Sequence, residues 1–284
     1  KTPLKTLLLS GILNVILNVC FVLGFHMTVN GVATATVLAN AASSVILLYR
    51  LQKTKTEIHV ELKELRIHRD IFLQIMRIGL PTGLQNAVFA IANIVIQAAI
   101  NSLGTIVIAA SSAAFNLEII AYYVLNSFSQ ACTTFVGQNY GAGQFQRCRK
   151  TLWLCLAEDA IASGTAIALV LFSGKFLLSL FSSDPQVFAI GYTRLLLVFT
   201  AYTFSMLYEV MSGYLRGFGI SLVPAILTTI GVCGVRIAWI RGVFPHFRTF
   251  PVIMAAYPLS LSITALLIFI AVLIYHPARK GAEE

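Results

Sequence analysis

Eight long apolar runs restrict this chain more than any other feature of its sequence. Residues 4–25, 32–51, 71–100, 105–136, 149–172, 187–214, 222–244 and 250–275 each reach the roughly 20 residues that a helix needs to cross hydrocarbon. No single water-soluble core could cover so much apolar surface. A transmembrane barrel fails too, because the runs lack two-residue alternation and are too long for barrel strands. Charged residues make up only 11% of the chain, against about a quarter in soluble domains, and mean hydropathy is +0.84. The expected fold class is an all-α polytopic membrane protein with about eight transmembrane helices.

The net charge of +9 would suit a nucleic-acid partner, but its distribution argues for a membrane. With the N-terminus inside, cytoplasmic segments hold fifteen cations, among them Arg50, Lys53, Lys55, Lys63, Arg147, Arg149, Lys150, Arg216, Arg279 and Lys280. Five remain for the other face: Lys175, Arg194, Arg236, Arg241 and Arg248. A 15-to-5 split is the bias that orientation by the insertion machinery produces, and it places both ends in the cytoplasm. No nucleic-acid partner is expected. The stretch 7–25 is long enough to span and reads as a helix, not a cleavable leader. The five cysteines form no CxxC pair and read as small apolar packing residues. Residues 52–70 form the only long polar stretch, and Ile58, Leu62, Leu65 and Ile67 recur there at near-helical spacing. They predict an amphipathic cytoplasmic linker between the first two spans and the following six. The first and last pairs of spans also share a layout, which suggests structural repeats.

Several motifs mark the joints between spans. Phe135-Val136-Gly137-Gln138-Asn139-Tyr140-Gly141-Ala142-Gly143, followed by Arg147, Arg149 and Lys150, reads as a glycine-hinged cytoplasmic turn. Arg77-Ile78-Gly79-Leu80-Pro81 opens a span, and Ser212-Gly213-Tyr214-Leu215-Arg216-Gly217-Phe218-Gly219 reads as a second turn. Leu178 to Pro185 and the Tyr257-Pro258 pair complete the set. In this order the motifs resemble the multidrug and toxic compound extrusion (MATE) transporters, bacterial type, over nearly the whole chain. The resemblance implies twelve helices in two six-helix lobes, of which this N-terminally truncated fragment would hold part. Residues 1–51 would be the last two helices of the first lobe and 52–70 the linker. Residues 71–276 would be the complete second lobe, and 277–284 a cytoplasmic tail.

Transport chemistry is expected where polar groups sit against the preference of hydrocarbon. A mid-span carboxylate costs about 2.5–3.5 kcal/mol on insertion scales, so it faces a cavity or a partner. Four candidates arise: Glu118, Glu158, Asp159 and Glu209. Ser111, Phe115, Glu118, Tyr122, Asn126, Ser129 and Thr133 follow helical steps and form one stripe, either a cavity wall or a polar seam between helices. A carboxylate among rings and amides suits an organic cation. Thr82, Asn86, Phe89, Asn93, Gln97 and Asn101 form an uncharged stripe on the preceding span, open to the same two readings. Glu209 shares a face with Ser205 and either carries coupling or forms an ion pair with Arg216 or Arg194. Glu158 and Asp159 point about 100° apart, as a proton carrier or a packed, protonated pair.

The resemblance and these residues together imply a secondary active antiporter exporting amphipathic, mainly cationic compounds in exchange for H⁺ or Na⁺. A lipid-linked saccharide flippase is the alternative. Such a protein would line its cavity with Arg or Lys, whereas the mid-span charges read here are acidic. Neither an enzyme constellation nor a cofactor or metal motif is evident. A monomer in the cell membrane is expected.

Overall fold

The computed structural model describes residues 2–54 and 59–275. The linker residues Lys55, Glu57 and Ile58, together with Lys1, His276 and the tail 277–284, lie outside the described residues. Every span expected from hydropathy is helical, and among the described residues eight helical stretches are long and apolar enough to cross a membrane. They are α1 (Thr2–Val19), α2 (Val29–Lys53), α3 (Arg69–Asn101), α4 (Thr105–Gly141), α5 (Phe145–Ser179) and α6 (Pro185–Gly217), then α7 (Leu222–Thr228) and α8 (Val235–Gly242), which form one span, and α9 (Phe250–Tyr275). The chain divides into two compact units, 1–69 and 70–284.

In the first unit α1 ends in a π-helical turn, Cys20–Gly24, and pairs with α2. Gly31, Ala35 and Ala39 recur every four residues on α2 and are its buried face. Small side chains let two helix backbones approach where hydrocarbon offers no hydrophobic drive. The approach is fixed by Ser10 Oγ donating to the Ala39 carbonyl at 3.0 Å and Asn14 Nδ2 donating to Thr36 Oγ1 at 3.2 Å.

In the second unit α4 and α6 form the central pair, with α5 and α9 packed on them. Glycine again permits the contact. A Cβ on Gly213 would stand 2.5 Å from the Ser129 carbonyl, and one on Gly217 would stand 2.6 Å from Val136. Both motifs read as turns are therefore mostly helix. Helix α4 continues through Gly141, and the turn is confined to 142–144, where Gly143 takes a positive φ of 69°. Likewise α6 runs through Gly217, and the reversal falls at Gly219, φ 79°. The remaining glycines of both motifs lie within helix, and Gly213 and Gly217 serve close packing. Before α6 the expected break is present: Asp184 caps the helix through Gln186 N at 2.8 Å, and Pro185 occupies the first turn.

The near-helical spacing of apolar residues in the linker does not carry a helix through its described residues between α2 and α3. Of 52–70, Gln52 and Lys53 end α2 and Arg69 and Asp70 begin α3; among the described residues between those helices only Leu62–Glu64 make a single 3₁₀ turn, and Ile67 is 87% exposed. Near-helical spacing over so short a polar stretch is insufficient by itself to hold a helix.

Within the last two spans, Thr229–Gly234 forms a π-helical segment between α7 and α8. Gly231 sits against α9 so closely that a side chain there would collide with Thr264. Pro258 lies inside α9.

Candidate functional site

Helices α3, α4, α6, α8 and α9 line a partly open cavity of about 540 Å³ within the second unit. Its walls follow from the stripes in the sequence. On α4, Ser111, Phe115, Glu118 and Tyr122 face inward, and on α3 so do Phe89, Asn93 and Gln97. Ser205 contributes from α6.

The Glu118 carboxylate is buried and does not face the cavity alone. Arg194 on α6 donates to Oε2 through Nε at 2.9 Å and Nη2 at 2.8 Å. Tyr202 donates its hydroxyl to Oε1 at 3.1 Å, and Arg194 Nη1 donates to Ser111 Oγ at 2.6 Å. Two N–H donors on one carboxylate oxygen make a strong, oriented contact. Both readings of the α4 stripe thus hold together: it lines the cavity, and its acid is the anchor of an interhelical pair.

A second arginine enters from α8. Arg236 is 2% exposed; its Nε donates to Ser260 Oγ at 3.1 Å and its Nη1 to Asn93 Oδ1 at 3.3 Å. The uncharged α3 stripe is therefore in contact with a cation. Tyr257 on α9 lies between the arginines, its ring centre 4.2 Å from the Arg236 guanidinium carbon and 6.0 Å from that of Arg194. Phe89 and Phe115 approach the same two groups at 5.4 and 5.5 Å. Ring faces of this kind attract cations and hold them in orientation.

This arrangement corrects the charge assignment. Arg194 and Arg236 belong to the interior of the bundle, and the 15-to-5 count becomes 15 to 3 once they are removed from the outer face. The charged groups lining the cavity are Glu118, Arg194 and Arg236, a formal sum of +1. The mid-span charge is consequently not acidic in character where the cavity lies. Sequence reasoning missed both arginines and Tyr257 as site residues, although both arginines fall inside runs that hydropathy marks as spanning. Their position within those runs was the available signal.

The other candidates lie outside the cavity wall. Asn126 is half-buried further along α4. Glu209 is buried, and Tyr208 donates its hydroxyl to Glu209 Oε1 at 3.1 Å while Ser129 Oγ donates to its backbone carbonyl at 2.8 Å. The ion pair with Arg216 or Arg194, one of the two readings of Glu209, is absent among the described residues: Arg194 is held by Glu118, and Arg216 donates to Gln85 Oε1 at 3.1 Å. Glu158 and Asp159 diverge, with Glu158 exposed and Asp159 fully buried, so they do not form a packed pair. Ser163 Oγ donates to Asp159 Oδ1 at 2.5 Å, and Asp159 Oδ2 has no hydrogen-bond partner among the described residues. No cluster of three metal-ligating side chains occurs among the described residues.

Comparison with known proteins adds four findings. A family model described as MatE matches residues 81–239, more than half of the chain. The probable multidrug resistance protein YoeA of Bacillus subtilis is 22% identical over 278 residues, covering 95% of this chain and 60% of the relative. An FAD transporter of Shewanella oneidensis is 28% identical over 194 residues, 66% of this chain and 42% of the relative. The fold also matches a solved outward-facing conformation of a multidrug resistance MATE family transporter of the MOP superfamily, with a TM-score of 0.86 at 18% identity. That match covers 99% of this chain and 63% of the other. The chain spans about 60% or less of the length of these relatives.

Proposed function

The chain belongs to the MatE family, and on that premise we propose that the protein is a secondary active exporter of amphipathic organic compounds, of the multidrug type, driven by inward H⁺ or Na⁺. The observation that carries this reading is the cavity of about 540 Å³ inside a membrane-spanning bundle, lined by aromatic rings and a few oriented polar groups. A volume of that size holds a drug-sized molecule, and ring-rich walls tolerate varied shapes. A monomer in the cell membrane with both termini cytoplasmic is part of the same proposal. The preference for cations expected from acidic mid-span groups has no support in this cavity, whose fixed charges sum to +1. The lipid-linked saccharide flippase remains a second reading, favoured by the two arginines that a phosphate-bearing substrate calls for.

Coupling is assigned to the buried carboxylates away from the cavity wall, Asp159 and Glu209. An ionisable group deep in a membrane bundle marks an ion path by default, and Asp159 Oδ2 has a lone pair free to take a proton or Na⁺. Dye export from proteoliposomes under a pH gradient, and separately under a Na⁺ gradient, tests the proposal. Export should follow one gradient and fall severalfold in Asp159→Asn or Glu209→Gln at equal protein. Wild-type export in both variants would remove coupling from these residues, and no gradient-driven export at all would overturn the transporter reading.

A further inference from the structure

We infer that the cavity selects amphipathic compounds carrying one anionic group, a carboxylate, sulfonate or phosphate, which docks on Arg236 while the apolar body lies against the surrounding rings. The inference rests on the transporter reading for its biological use, but the binding site is argued from charge and geometry alone.

Arg194 and Arg236 differ in one decisive respect. Arg194 has its counter-ion in place, since Glu118 lies 2.8 Å from its Nη2. Arg236 is as deeply buried, and no carboxylate among the described residues lies within ion-pair distance of it. Its recorded polar contacts are neutral oxygens, Ser260 Oγ and Asn93 Oδ1, which occupy Nε and Nη1. A guanidinium carries five N–H donors, so donors remain for a group in the cavity that Arg236 lines. Burying a charge without a counter-ion is costly, and an incoming anion would relieve that cost.

Orientation is also prepared. The two neutral acceptors and the rings of Tyr257 and Phe89 hold the guanidinium plane, so little side-chain freedom is left to lose when an anion docks. A planar, oriented fork matches a carboxylate or phosphate in a way that a lysine ammonium does not. Monovalency follows from the sum of fixed charges, because Glu118 cancels Arg194 and one positive charge remains. A lipophilic cation would meet that charge with repulsion, whereas a neutral compound would bind through the rings alone.

The test uses the purified protein in nanodiscs of neutral lipid and three probes of one shape: a naphthalenesulfonate, its neutral sulfonamide and a naphthylmethylammonium. The sulfonate should bind tightest and the ammonium weakest. Arg236→Gln should weaken the sulfonate by about tenfold or more, as loss of a charge-assisted hydrogen bond does, while changing the sulfonamide by less than about twofold. If Arg236→Gln does not fold, Asn93→Asp supplies a carboxylate beside Nη1 and should weaken the sulfonate selectively with the arginine still present. Adding anionic phospholipid to the nanodiscs distinguishes the source of the anion: competition with the sulfonate assigns the site to a lipid headgroup, and no competition assigns it to a soluble compound. Equal affinity for the three probes, or equal loss of sulfonate and sulfonamide in the variants, overturns the inference. Sulfonate selectivity without gradient-driven export would sink the transporter reading alone, and export without sulfonate selectivity would sink this inference alone.

Discussion

At the scale of single residues, the pairing of Glu118 with Arg194 has the clearest energetic consequence. Removing one partner of a buried pair leaves the other charged and unmatched, a loss of about 3–5 kcal/mol. Glu118→Gln and Arg194→Met should therefore each lower the unfolding temperature markedly, and the double variant should be more stable than the sum of the two losses by about 1–3 kcal/mol. Strict additivity in a thermal double-mutant cycle would mean that the pair is not formed. This residue scale was only half legible in the sequence. The cost of a mid-span carboxylate singled out Glu118, and helical periodicity grouped Tyr122 with Glu118 and Asn93 with Gln97 on helix faces that line the cavity. The partner was beyond reach, because Arg194 lies 76 positions away and apposition of α4 and α6 brings the two together. Counting every cation as a loop charge then turned two cavity arginines into topology signals.

At the scale of helices, close approach through glycine decides how α4 and α6 meet. Gly213→Val places carbon where the Ser129 carbonyl stands, 2.5 Å from the first added atom. The helices must separate, and overpacking of this kind costs about 1–3 kcal/mol. Gly79→Ala is the contrast, since nothing lies within 4 Å of its added Cβ on α3. It should be neutral or stabilise by up to about 1 kcal/mol, the usual gain of alanine over glycine within a helix. Thermal melts of both variants check the pair, and a harmless Gly213→Val would show that the contact yields freely. The same glycines explain why span positions were legible and span ends were not. Hydropathy integrates over twenty residues and survives local error. A glycine cluster signals either a turn or a tight crossing, and only the packed neighbour separates the two. Gly143 and Gly219 make the turns; Gly213 and Gly217 make the crossing.

At the scale of the whole molecule, orientation across the membrane follows from the cations that remain outside the bundle. Removing Arg194 and Arg236 from the count sharpens the asymmetry on which the proposed cytoplasmic placement of 52–70 and 138–149 rests. Single cysteines at Lys63 and Gln144, in a background lacking the five native ones, should resist a membrane-impermeant thiol reagent in intact cells and react after permeabilisation. Labelling from outside at either position would reverse the topology.

The π-helical segment Thr229–Gly234 has a bearing on how cavities of this kind diversify. A π turn holds one residue more than an α turn, so it offsets the angular register of everything after it by about 100°. Arg236 lies two residues beyond the segment, so its heading around the helix includes that offset. Loss of one residue there would restore the α repeat and swing the arginine to another side of the helix, with every cavity-lining side chain still encoded. The net charge of the cavity is in that sense a matter of phase, since the loss of a single codon would leave only the matched Glu118 and Arg194, whereas removing it by substitution would mean replacing a residue already fitted to its neighbours.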